Sequence, residues 1–235
     1  MMMLKKIGIC LFAGSIALTA AACENTKEVK KDVSSTTQNQ EKKDNVSGQQ
    51  TSYKSIFKDS LIMGDSIMEG LTYHDFLDKQ NVMAKTGGTL MFVPQEKDDE
   101  EAIKRKPKHI FMAYGNDDLQ IPADLNQKPV NDPVQFAMDN YKKIIGKMKK
   151  EVPDTKLHVL AILPVTEKAE QETPLYKKIK EYNEALKKLA ETESIDYIDL
   201  SSLVKEHTNV YDKDGVHFKK EFYPLMLDAL KPKLQ

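Results

Sequence analysis

Gly64-Asp65-Ser66 follows a short apolar run, Ser60-Leu61-Ile62-Met63, and Asp214-Gly215-Val216-His217 lies near the far end of the 235-residue chain. A serine hydroxyl is a weak nucleophile until a base takes its proton, and an imidazole needs an acceptor on its other nitrogen to hold it in place. Histidine suits that task near neutral pH. In a tight loop, Asp214 can reach Nδ1 of His217 three residues on and leave Nε2 facing outward. Ser66, His217 and Asp214 are therefore the candidate nucleophile, base and orienting acid of an acyl-transfer site.

Such a site also needs donors aimed at the negative charge that develops on the substrate carbonyl oxygen. Residues 60–63 read as a buried parallel strand and Ile67-Met68-Glu69-Gly70-Leu71 begins a helical pattern, so Ser66 falls at a strand-to-helix turn. Turns of that kind face the carboxyl edge of an α/β sheet, where sites form. The first helical N–H groups there lack internal partners and lie at the positive end of the helix dipole. Two loops can add donors: Thr86-Gly87-Gly88-Thr89 after the apolar run 81–84, and Tyr114-Gly115-Asn116-Asp117-Asp118 after the run 109–113. A glycine lets its N–H approach a ligand closely. Asn116 carries an uncharged NH₂, whereas the carboxylate of Asp117 would repel the oxyanion. The expected oxyanion hole is Ser66 N–H, Gly87 N–H and the Asn116 amide, with Gly88 and Asp117 as alternatives that spacing leaves open.

These blocks, in this order, resemble the SGNH (GDSL-like) hydrolase family. Its signature is Gly-Asp-Ser, a glycine after the second strand, Gly-x-Asn-Asp after the third, and Asp-x-x-His near the end. The resemblance spans about residues 61–230. The third block departs from it: counted from Gly115 the family's Asn position holds Asp117, and counted from Asn116 its Gly position holds Tyr114. The resemblance implies a serine esterase that needs no metal or organic cofactor, acting on lipids, thioesters or O-acetylated sugars. An O-acyltransferase acting on cell-envelope glycan would use the same triad. A non-catalytic binding lipoprotein of the same fold would accommodate the irregular third block.

The start of the chain addresses location. Lys5-Lys6 precede residues 7–22, which are uncharged, apolar or small, and Ala20-Ala21-Ala22-Cys23 follows. A basic n-region, a short apolar h-region and small residues at the cut describe a secretory signal. The cysteine after the small residues resembles a bacterial lipobox, which implies lipidation at Cys23 and anchoring on the extracytoplasmic face of the cell membrane. Residues 23–52 are polar and charged, and such composition cannot bury enough surface to offset chain entropy. The expected organisation is signal peptide 1–22, lipidated cysteine and tether 23–52, and one hydrolase domain 53–235. A flexible tether of that length reaches roughly 30 Å. Cys10 leaves with the signal, so the mature chain has no thiol for a disulfide.

The domain must bring these blocks together. Five apolar or alternating runs, 60–63, 81–84, 109–113, 157–163 and 195–199, alternate with helical patterns. Asp132-Pro133 opens one helix and Thr173-Pro174 another, each a polar cap followed by proline. The pattern predicts a three-layer α/β/α fold with a mainly parallel five-stranded sheet, flavodoxin-like in its winding. The run 98–106, acidic then basic, reads as a solvated helix, and 218–230 as the closing helix. The loops 117–131 and 164–173 follow strand ends and should border the cleft.

Other chemistries find no support. His74, His109, His158 and His207 lack metal-ligand spacing. No phosphate-binding glycine loop is present. Removing Lys5 and Lys6 leaves 33 of the 35 basic side chains against 36 acidic ones, which argues against nucleic acid as a partner. The expected partners are a small-molecule or glycan ester and, through the lipid, the membrane, with the protein a monomer.

Overall fold

A computed structural model of the protein describes residues 52–235; the signal segment, Cys23 and the tether up to residue 51 lie outside the described residues. Five strands form the sheet: β1 (Ser60–Gly64), β2 (Val82–Ala84), β3 (His109–Ala113), β4 (Lys156–Leu160) and β5 (Asp196–Ile198). Their order is β2-β1-β3-β4-β5, and every pairing is parallel. Residues 52–56 are helical, and the helices after β1 are α1 (Ser66–Tyr73), α2 (Asp98–Arg105), α3 (Pro133–Glu151), α4 (Glu167–Glu172), α5 (Ile179–Glu193), α6 (Ser201–Glu206) and α7 (Phe222–Leu230).

Alternation along the strands divides the core in two. Leu61, Met63, Ile110, Met112, Leu157 and Val159 share one face with α3 and α5 residues such as Tyr141, Ile145, Tyr182 and Leu186. Ile62, Phe111, Leu160 and Ile198 share the other with Ile67 and Leu71 of α1 and Phe222, Met226 and Leu230 of α7. Strands covered on both faces carry apolar residues at successive positions, which is why they read as short continuous runs. At the carboxyl edge the chain turns outward between β1 and β3, where the winding direction reverses.

The start signal at Asp132-Pro133 operates as expected: Asp132 Oδ1 accepts the Gln135 N–H at 3.0 Å, with proline in the first turn. Thr173-Pro174 does not open α5. Residues Pro174–Lys178 form a 3₁₀ turn and α5 begins at Ile179. Three residues per turn rotate Leu175 away from the face that Tyr182, Leu186 and Ala190 of α5 bury, and it is 41% exposed. Likewise β4 stops at Leu160, short of the predicted Leu163. Asn183 of α5 takes over the next backbone, accepting from Ile162 N–H and donating to Ile162 carbonyl, both at 2.9 Å. The loop 164–173 contains α4, capped by Thr166, and the closing helix starts at Phe222, four residues later than the pattern suggests. Helix α2 is not wholly solvated: Asp99 is 2% exposed and pairs with Lys147 of α3 at 2.8 Å.

At the opposite edge of the sheet a buried polar chain runs His109 Nδ1 to His158 Nε2 at 3.1 Å and His158 Nδ1 to Asp196 Oδ2 at 3.1 Å. Lys233 joins Asp196 at 3.0 Å, and Phe111 stacks on His158 at 4.4 Å. Burial, the largest influence on each imidazole, lowers the pKa of both His109 and His158, since a low-dielectric site disfavours the charged ring. The unfolded chain therefore binds protons at a pH where the folded chain does not. The stability involved is intact above the ordinary imidazole range and is lost as pH falls through it toward the lowered folded values. His109→Phe, which keeps an aromatic in the stack, is expected to cut the loss of Tm between pH 7 and pH 5 by roughly 2–4 °C, read by thermal melts at both pH values.

Candidate active site

The position of the candidate nucleophile follows from how β1 hands over to α1. Asp65 leaves the strand in an extended conformation and its Oδ1 accepts the Ile67 N–H at 3.0 Å, capping α1. Ser66 is the first residue of that helix, so its own N–H has no helical acceptor. The helix is held from behind by Tyr223 of α7, whose hydroxyl donates to Ile67 carbonyl at 3.1 Å. The ring lies so close to Gly70 that any Cβ there would meet the Tyr223 hydroxyl. Thus the helix carrying Ser66 is pinned to the helix that follows His217.

The structure brings the three predicted residues together. Ser66 Oγ lies 2.8 Å from His217 Nε2, across a separation of 151 residues. His217 Nδ1 lies 2.6 Å from Asp214 Oδ2, while Asp214 Oδ1 accepts the backbone N–H groups of Val216 and His217, each at 2.9 Å. Desolvation alone would raise the Asp214 carboxyl. The Val216 N–H, the imidazole and the His217 N–H outweigh it and hold the group below the usual carboxylate range. An acid kept ionised in this way fixes the ring orientation and stabilises the imidazolium when it forms.

Several residues that sequence reasoning missed hold the histidine loop. Tyr211 hydroxyl donates to Pro164 carbonyl at 2.6 Å, and Thr166 N–H donates to Gly215 carbonyl at 2.9 Å. Gly215 sits at φ +72° and a Cβ on it would run into Thr166 Oγ1, so both backbone and space require glycine. The loop before α4 therefore borders the site, and it does so by clamping the segment that presents His217.

On the oxyanion side, Gly88 N–H is committed to Lys85 carbonyl at 3.0 Å, and its Cα rests against the β1–α1 turn, where an added Cβ would come 2.8 Å from Gly64 carbonyl. Gly87, at φ +74°, faces open space, and its N–H donates to no acceptor among the described residues. Glu69 of α1 secures this loop by accepting Thr86 N–H at 2.8 Å and Thr86 hydroxyl at 2.9 Å. Asn116, 9% exposed, points its amide nitrogen at Asp65 Oδ2, 3.4 Å away, beside the serine turn. Gln120 ties Asn116 carbonyl to Tyr176 hydroxyl at 3.1 and 3.2 Å. Asp117 is half-buried; desolvation raises its pKa and the charge of His217 opposes that rise. Asp118 is fully buried and accepts Leu90 N–H at 2.9 Å, joining the third block to the second. Among the described residues no cluster of three His, Cys, Asp or Glu side chains is arranged to hold a metal ion.

A three-layer parallel α/β domain with a serine at the first strand-to-helix turn and an Asp-x-x-His loop against it defines a class of serine hydrolases. The chain belongs to the GDSL-like lipase/acylhydrolase family, whose model matches residues 62–224, and is thereby an ester hydrolase. Solved structures share the fold at low identity. A GDSL-like lipase from Bacteroides thetaiotaomicron has a TM-score of 0.58 and 17% identity, covering 81% of this chain and 96% of that one. An acetyl-xylooligosaccharide esterase from Geobacillus stearothermophilus, crystallised as a variant, has a TM-score of 0.55 and 17% identity, covering 74% and 92%. No curated protein matches the chain.

Two variants distinguish the candidate donors. Asn116→Ala is expected to lower kcat for an acetyl ester roughly 10²–10³-fold with KM little changed, whereas Asp117→Ala should change it far less. In a second measurement Gly215→Ala, strained at its φ and against Thr166, should lower both Tm and kcat.

Proposed function

We propose that the protein is a membrane-anchored serine esterase of the cell envelope that removes short acyl groups, acetyl above all, from glycan hydroxyls. The carrying observation is the unbroken hydrogen-bonded line from Ser66 Oγ through His217 to Asp214. Ser66 attacks the ester carbonyl as His217 Nε2 takes its proton, and Asp214 stabilises the resulting imidazolium. The N–H groups of Ser66 and Gly87 and the Asn116 amide receive the oxyanion. His217 then protonates the departing sugar hydroxyl, and water, activated by the same imidazole, releases the acid from Ser66.

The acetyl preference rests on likeness alone. The acetylated xylo-oligosaccharide named for one structural relative is an ester of the same type. Lipidation at Cys23, with the tether of residues 23–52, would keep the domain near the outer face of the membrane.

The test is labelling and turnover. A fluorophosphonate probe should label the wild type and leave both Ser66→Ala and His217→Ala unlabelled; labelling that survives Ser66→Ala rejects the nucleophile. Acetyl esters should be hydrolysed at least tenfold faster than octanoyl esters, and equal rates would refute the acetyl preference. Incorporation of an alkynyl fatty acid that disappears in Cys23→Ser would establish the anchor.

A further inference from the structure

Three carboxyl groups crowd the oxyanion side, and none forms a salt bridge among the described residues. Asp118 is 0% exposed; its Oδ1 takes the Leu90 N–H, and its Oδ2 is buried without a partner. Asp65 is 1% exposed and accepts from Ile67 and Asn116. Asp117 Oδ2 is also buried and unpartnered. His217 acts on Asp65 and Asp117 from the loop before α7. The other ionisable groups facing the cluster are Tyr114 after β3, Tyr141 on α3, Tyr182 on α5, Tyr176 in the 3₁₀ turn and Tyr223 on α7. Burial raises all five phenols, which keeps them neutral at any working pH.

A buried carboxylate without a cation is expensive, and such a group ordinarily takes a proton instead. Three ionised carboxylates would also oppose the charge that the site must stabilise during acyl transfer. We propose that Asp118 is protonated in the working enzyme, and that this neutral acid is what lets the third block close on Leu90 of the second and set Gly87 and Asn116 around one oxyanion. Desolvation first, then the neighbouring carboxylates, push Asp118 up to about 8, with the Leu90 N–H opposing. Desolvation likewise brings Asp65 to about 7. Asp118 is a positioning residue: it acts through the two loops and has no contact with the ester. Raising the pH removes its proton, places uncompensated charges side by side, and separates the loops.

The rate consequence rests on the Ser66–His217–Asp214 reading; the protonation itself does not, so the experiment reads both. With the full chain, kcat and KM for an acetyl ester are measured from pH 6 to pH 10 for wild type and Asp118→Asn, together with the infrared band of protonated carboxyl groups. Asparagine keeps an acceptor for Leu90 N–H and cannot ionise. The wild-type kcat is expected to fall about tenfold per pH unit above roughly pH 8, the behaviour of a single essential proton. Asp118→Asn should keep its pH 7 activity within a few-fold and hold it through pH 9, with the protonated-carboxyl band diminished. An unshifted alkaline limb in Asp118→Asn, or a folded variant inactive at pH 7, would overturn the proposal. Should the variant fail to fold, the unaltered chain decides: a protonated-carboxyl component that disappears near pH 8, above the one Asp65 contributes near pH 7, supports it, and absence of any such component above pH 7 refutes it. Loss of fluorophosphonate labelling in Ser66→Ala reports separately on the triad.

Discussion

The contact between Ser66 Oγ and His217 Nε2 is a single 2.8 Å hydrogen bond between segments 151 residues apart, and the site depends on it. A displacement of an ångström would break it, so both ends must be held by groups that cannot drift. Asp65 caps α1 and sets the serine at its first turn. Tyr223 ties α1 to α7 through Ile67 carbonyl, joining the two helices that flank the site. From the far side, Tyr211 and Thr166 clamp the loop that presents the imidazole. Neighbours held in this way would spare a serine hydroxyl the entropy of finding its base.

The same closeness creates an electrostatic conflict. Asp214 must stay ionised, and two backbone N–H groups and the imidazole see to that. Asp65, Asp117 and Asp118 lie on the other side, where positive potential is wanted, and burial drives all three toward neutrality. Four carboxyl groups in one small volume thus divide into one hydrogen-bonded anion and three raised acids. Desolvation and hydrogen bonding make the division, since each has the same chemistry in water.

Much of the architecture was legible because burial writes itself into composition. Strands covered on both faces have to be apolar at consecutive positions, which made β1 and β3 plain; Asp132-Pro133 announced α3 by cap chemistry alone. The misreadings have local causes. Thr173-Pro174 has the same form as the α3 start, yet the chain takes a 3₁₀ turn first, in which Tyr176 hydroxyl accepts from Gln120 just past the third block. Leu160–Leu163 is apolar throughout, yet the strand ends where Asn183 captures Ile162. Asp99 looked solvated until α3 supplied Lys147. In each case the deciding partner lies 21 to 56 residues away in the chain, and a local pattern holds no record of it.

Sequence alone determined the parts: a serine at a strand-to-helix turn, a histidine with an acid three residues before it, glycine-rich and Asn-bearing loops after the right strands, and the winding that gathers strand ends on one edge. These are encoded in residue type and short spacing, which fix backbone conformation and local hydrogen bonds. Only the tertiary structure decided which glycine N–H remains uncommitted, that Asn116 turns to Asp65, that Glu69, Thr166 and Tyr211 hold the loops, and that Asp118 is sealed from water. Those outcomes depend on distances between remote side chains and on the dielectric around them, and both quantities exist only once the chain has closed on itself.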